Sequence, residues 1–252
     1  MARDTGGERS RPAPRAKPRG RARPRPSRGG GFWRFARNLF LALVLIAVVV
    51  PPVSVGVYRI VPPPITILMI TRLIQGQRMD YQWRSLRDMS PALPAAAVAS
   101  EDSLFCSNHG FDLDAIERAM KHNERRPNRI RGGSTISQQT AKNVFLWPGR
   151  DYVRKAIEAW YTVLIEAIWG KRRIMEMYLN VVEFGPGVYG AEAASQRFFN
   201  EPASALNDAQ AARLIAVLPK PLSWSAADPG RYIVRRTLKI DGRMVTVEDD
   251  DL

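Results

Sequence analysis

The sequence predicts a mainly α-helical protein in which one membrane-spanning helix precedes a single folded domain. Three observations carry this prediction. No charged residue lies within residues 38–58. From Pro91 onward the apolar residues recur at spacings of three and four, the period of a helix that buries one face. Stretches that alternate apolar and polar residues, the period of a strand, are scarce, and only residues 244–247 hint at one.

Composition narrows the classes further. The 252 residues carry a formal net charge of +14, but residues 1–37 hold twelve basic side chains against only Asp4 and Glu8. Charge so concentrated excludes a uniformly basic nucleic-acid-binding domain, and no nucleic acid is expected as partner. Cys106 is the one cysteine, and with His109 and His122 the only histidines, no disulfide framework and no structural zinc set can be assembled. An apolar fraction of 45% is enough to bury a core.

Taken in order, residues 1–31 are Arg, Pro, Gly and Ser with almost nothing apolar and read as a disordered basic tail. Residues 32–58 read as the anchor. At about 1.5 Å per residue the charge-free window reaches about 31 Å, close to the roughly 30 Å hydrocarbon thickness of a bilayer. Pro51 and Pro52 should kink or end this helix. Arg28, Arg34 and Arg37 before the run, against Arg59 after it, place the tail in the cytoplasm and everything beyond Tyr58 outside. A cleaved signal peptide with Ser54 and Gly56 at its end is the competing reading. Residues 59–90 contain three successive prolines and read as a membrane-proximal connector.

Residues 91–235 form the expected domain. Asp112 caps a helix bearing Ile116, Ala119 and Met120, and Thr135 with Gln138 fits a capping box. Val153, Ala156, Ile157, Trp160, Leu164, Ala167 and Ile168 form the apolar stripe of a third helix that ends near Gly170. Ile174, Met177, Tyr178, Val181 and Val182 mark a fourth, and residues 207–218 a fifth. Residues 236–252, ending in Glu248, Asp249, Asp250 and Asp251, read as a solvated tail.

Four polar clusters interrupt these helices. Glu101 and Asp102 follow a small apolar run, where partial desolvation would suit a general base, although from these residues alone an exposed helix-end pair is the favoured reading. The segment RGGSTISQQTAKN joins a glycine turn, a helix start, two amides and Lys142, the ingredients of an anion site. In RKAIE, Arg154, Lys155 and Glu158 share one helix edge, as a solvated salt-bridge face also would. The fourth cluster, KRRIMEMYLNVVEFGPGVYG, runs from a helix into a glycine-rich loop.

In this order, EDSLFCSNHGFD, GGSTISQQTAKN, RKAIE, KRRIMEMYLNVVEFGPGVYGAEAAS and AARLIAVLPKP resemble the five motifs of the family-51 peptidoglycan glycosyltransferases. One anchor and no penicillin-binding domain fit the monofunctional members. The resemblance implies a lysozyme-like, two-lobed helical fold at the outer face of a bacterial plasma membrane. It also implies polymerisation of lipid II onto a growing glycan chain with inversion at the anomeric carbon. Glu101 matches the family's catalytic base and Glu158 its second essential carboxylate. Ser134, Gln139, Lys142, Arg150 and Lys155 match positions that bind the donor's sugars and pyrophosphate, with Asp102 and Arg154 supporting them. The resemblance admits a divalent cation, Mg2+ or Mn2+, near Glu158 and no organic cofactor. Membrane lipids and other cell-wall synthesis proteins are the expected partners. Asn108 stands where the family usually has histidine, which puts in doubt the hydrogen bonds of the loop after Glu101. A glycan-cleaving lytic transglycosylase and a non-catalytic membrane scaffold are the rival readings; the cationic set around Lys142 and Lys155 speaks against the first.

Overall fold

The computed structural model describes residues 30–127, 132–149 and 151–247. The basic tail ahead of Gly30, Arg150 and the acidic residues from Glu248 onward lie outside these. The protein is mainly helical, as the periodicity predicts. Helix α1 (Gly30–Ile60) is long and apolar enough to cross a membrane. It runs through Pro51 and Pro52 without ending, contrary to expectation. The fixed φ of proline suits a helix, the missing N–H groups cost only local bonds, and spanning helices tolerate such losses.

Compact contacts divide the chain after Val44, and Leu45 onward holds the remaining elements. Helix α2 (Ile67–Ile74) begins at Thr66, whose hydroxyl accepts from Met69 N–H. Strand β1 (Asp80–Tyr81) and a 3-10 turn at Leu86–Asp88 complete the connector. Helices α3 (Ala92–Glu101), α4 (Leu113–Arg125), α5 (Ile136–Phe145), α6 (Tyr152–Ile168) and α7 (Lys171–Val181) follow. After β2 (Glu183–Gly185) and β3 (Val188–Tyr189) come α8 (Ala191–Phe199), α9 (Asp208–Ala216) and α10 (Arg231–Met244).

Two packed groups make the core. Helix α3 lies against α9 and α10, and α5 lies against α6 and α7. The expected caps are present: Asp112 accepts from Ala115 N–H, and Thr135 and Gln138 close a reciprocal box on α5. The α4 face is thinner than its pattern, with Ala119 buried and Met120 exposed.

Four expectations are corrected. The apolar stripe of α6 is largely turned outward: Val153 is 69% exposed, Ala156, Trp160 and Ala167 are also exposed, and Ile157, Leu164 and Ile168 are half-buried. The residues α6 buries are Arg154, Glu158, Tyr161, Thr162 and Ile165. Second, α10 crosses the boundary placed at Arg235. Its Ile233, Thr237, Ile240 and Met244 are buried against the domain, so residues 236–244 are structure rather than tail. Third, the strand hinted at in residues 244–247 is the end of α10 and a turn. Fourth, the strands lie elsewhere, in a three-stranded sheet of order β1-β3-β2, with β1 parallel and β2 antiparallel to β3. Gly187, at φ +71°, is required there, because a Cβ would sit 1.9 Å from the Arg78 carbonyl oxygen.

Candidate active site

Helix α3 is an apolar rod of small residues that ends at Glu101, and this places a carboxylate where the rod meets open space. Glu101 lines a cleft of about 1940 Å³, together with Asp102, Ser134, Gln139 and Lys142. Five of the residues singled out from sequence therefore share one cavity. Both oxygens of Glu101 are held: Oε1 accepts from Arg236 Nη2 at 3.1 Å and Ser100 Oγ at 2.9 Å, and Oε2 accepts from Gln139 Nε2 at 3.2 Å.

The neighbouring carboxylate does different work. Asp102 is buried, and its Oδ2 accepts from Ile136 N–H at 3.1 Å at the start of α5. Asn108 donates to both of its oxygens, at 2.9 and 3.1 Å. Burial pushes the Asp102 carboxyl above its ordinary range, and the bonds from Asn108 and Ile136 and the charge of Lys171 only partly offset this. Asn108 also accepts from Gly110 N–H at 3.0 Å and Lys171 Nζ at 3.2 Å. Asparagine in the place of histidine thus ties the loop after Glu101 to Asp102, Gly110 and Lys171, while His109 is exposed. Gly110, at φ +89°, closes this loop against α6, where a Cβ would lie 2.9 Å from Glu166 and Thr162 carbons.

These bonds correct the anion site expected at the α5 start. Ile136 N–H is taken by Asp102, and Gln138 N–H by Thr135 Oγ1. The anion held by this helix terminus is the protein's own carboxylate. The positive charge that α5 itself presents to the cleft is Lys142. Burial holds its pKa below the ordinary 10.5; Arg154 and Lys155 push the same way, while Glu158 and, more weakly, Glu101 push back.

Glu158 lies behind the cleft rather than on its wall, only 2% exposed. Oε2 accepts from Arg154 Nη1 at 2.8 Å, and Oε1 pairs with Lys155 Nζ. The solvated salt-bridge face is excluded, because Arg154 and Glu158 are both buried. Lys155 is about half exposed and is not among the residues that line the cleft. The triad also bears on the expected divalent cation. Both Glu158 oxygens already face cations, and among the described residues no group of three or more His, Cys, Asp and Glu converges on one point. This donor set does not fit a metal. At the end of α5, Phe145 and Leu146 are core, Phe145 stacking on Tyr161 at 4.2 Å, and Trp147 is exposed.

Sequence reasoning missed a further part of the cleft wall. Arg236, Tyr232 and Arg243 of α10, with Lys220 and Trp224 before it, also line the cleft. Arg236 is fixed by donating to the Ala216 carbonyl at 3.2 Å and Ser100 Oγ at 2.8 Å. Trp224 and Tyr232 pack at 5.2 Å between ring centres, with the Lys220 ammonium 5.7 Å from the Trp224 ring. The spacing of Ile233, Ile240 and Met244 was the available signal for this helix.

A helical domain with a carboxylate and an ammonium on one large cleft has the outline of a carbohydrate-active enzyme. The family model described as Transglycosylase matches residues 68–245, and the chain belongs to this family. A biosynthetic peptidoglycan transglycosylase of Caulobacter vibrioides is 54% identical over 219 residues, covering 87% of this chain and 95% of the relative. Proteins of the same name from Pseudomonas aeruginosa and Xanthomonas campestris are each 50% identical. They cover 79% and 78% of this chain, and 88% and 82% of their own lengths.

Proposed function

We propose that this chain polymerises lipid II, a disaccharide-pentapeptide carried on undecaprenyl pyrophosphate, into peptidoglycan strands. The observation that carries the reading is that Glu101 and Lys142 open onto the same cleft, one able to take a proton and the other to face a leaving anion. Glu101 removes the proton of the 4-hydroxyl of the incoming lipid II as that oxygen attacks the anomeric carbon of the growing chain. The bond to pyrophosphate breaks on the opposite face, the α linkage becomes β, and undecaprenyl pyrophosphate leaves with the bonding pair.

A glycosidase needs an acid for its departing sugar oxygen. Pyrophosphate is already a stable anion, so fixed positive charge replaces that acid. Lys142 supplies it at the cleft, and the buried Arg154–Glu158–Lys155 group sets the field behind it. Gln139 and Arg236 orient the base, and Ser134 meets the donor sugars.

Helix α1 anchors the enzyme in the membrane that holds its substrate, with the tail inside and the cleft outside; a reporter fused after Leu252 should be active only outside the cytoplasm. Purified lipid II tests the chemistry. Gel analysis should show glycan polymer with the wild-type chain and none with Glu101→Gln at an unchanged melting temperature. Polymer from Glu101→Gln would remove the base from its role, and muropeptides released from intact sacculi would favour a lytic enzyme instead.

A further inference from the structure

The last turn of α1 ends in an unusual way. Tyr58 lies four residues before Pro62, and proline has no N–H to continue the helical ladder onto the Tyr58 carbonyl. The preceding rung is intact, with Val61 N–H donating to the Val57 carbonyl at 3.0 Å. Arg173 of α7 fills the gap: its Nε and Nη2 donate to the Tyr58 carbonyl at 3.2 and 2.8 Å. One turn earlier, Trp169 Nε1 donates to the Val55 carbonyl at 2.7 Å. The Tyr58 ring lies 5.9 Å from that of Phe145, which in turn lies 6.0 Å from the ring of Trp169. Val55 belongs to the charge-free stretch, where little water competes for such bonds.

The connection continues along one face of α7. Arg173 pairs with Glu176, whose Oε1 accepts from Leu86 N–H at 3.0 Å, and it covers the Trp83 ring at 5.1 Å. Asn180 exchanges two bonds of 2.8 Å with the backbone of Arg84. Helix α7 therefore grips both the end of the span and the connector that leaves it.

We propose that Arg173 and Trp169 form a latch that fixes the catalytic domain to the end of its own span, so that the cleft meets a lipid-borne substrate in one orientation. This rests on the membrane-resident substrate of the preceding section. Neither residue lines the cleft, and both are positioning residues acting through the backbone of α1. A plain tether raises concentration but leaves orientation free. Donors to two carbonyls a turn apart on one helix remove that freedom.

The test compares the full-length chain on lipid II in liposomes and in detergent micelles. Trp169→Phe removes the indole N–H together with part of the ring's buried volume, Arg173→Met removes both donors to Tyr58 without touching that packing, and Arg173→Lys keeps the charge without the fork. Turnover in liposomes should fall about ten-fold for Trp169→Phe and Arg173→Met and change less than about two-fold in micelles, since small misplacements cost rate only where orientation is imposed. Arg173→Lys should recover part of the loss. Equal losses in the two media, or no loss in liposomes, would overturn the latch. A second arm is independent of turnover. Spin labels at Val53 and Gln196, in a Cys106→Ser background in nanodiscs, should give a narrow distance distribution that broadens with Arg173→Met. An unchanged width would also overturn it. A wild-type chain that makes no polymer in either medium would sink the substrate reading and leave this distance arm to judge the latch.

Discussion

Helices α3 and α6 carry the two glutamates that the family resemblance singles out, and they are built in opposite ways. Helix α3 buries Ala92, Leu93, Ala96, Ala97, Val98 and Ala99 and delivers Glu101 at its end, at the wall of the cleft. Helix α6 buries Arg154 and Glu158 and turns Val153, Trp160 and Val163 outward, with Tyr152 at its start 96% exposed. A terminal carboxylate can be changed without disturbing its helix, whereas one enclosed among cations is part of the helix's own packing. A large apolar surface facing out is also the mark of a contact with lipid or another protein rather than with water.

This contrast can be broken by measurement. The largest effect should come from Glu101→Gln, with a loss of polymerisation of about 10³-fold, as expected for removal of a general base, at nearly unchanged stability. Lys142→Met should cost about 10²-fold in turnover. Its stability should respond to pH with a defined sign. Folded Lys142 releases its proton below the ordinary 10.5, so between its folded and unfolded values the unfolded chain binds more protons, and wild-type stability rises with pH across that window. Denaturant titrations at several pH values should show that Lys142→Met removes this rise. Glu158→Ala should instead destabilise the fold by about 3 kcal/mol in urea melts, because Arg154 is left buried without its partner. An equal stability loss in Glu101→Gln and Glu158→Ala would erase the distinction between the two helices. The smallest effect belongs to Val153→Ser: urea unfolding of the detergent-solubilised chain should shift by less than about 0.5 kcal/mol, because an outward side chain leaves no cavity.

The same contrast shows what was legible in the sequence. The Thr135–Gln138 box, the Asp112 cap and the order of the polar motifs are local features, and each is where its pattern placed it. The α6 stripe misled because period alone finds an apolar face and cannot say what that face touches. Helix α10 was hidden by Arg231, Arg235, Arg236 and Lys239, which dilute an otherwise regular apolar spacing. The sheet consists of strands of two and three residues, too short to establish any alternation. Arg236 could not be linked to Glu101 at all, since the contact joins residues 135 apart in the chain.

The pairing of β1 with β3 has a consequence for how the molecule is born. Asp80 aligns with Val188, and its N–H donates to the Gly187 carbonyl at 2.8 Å. Emerging from the ribosome in order, the segment beside the span must wait for more than a hundred further residues before its neighbour exists. Contacts that distant form slowly and leave a strand edge bare meanwhile. Folding of this domain is therefore timed by the arrival of the hairpin around Gly187, and chains truncated before it should be the ones that quality-control proteases remove.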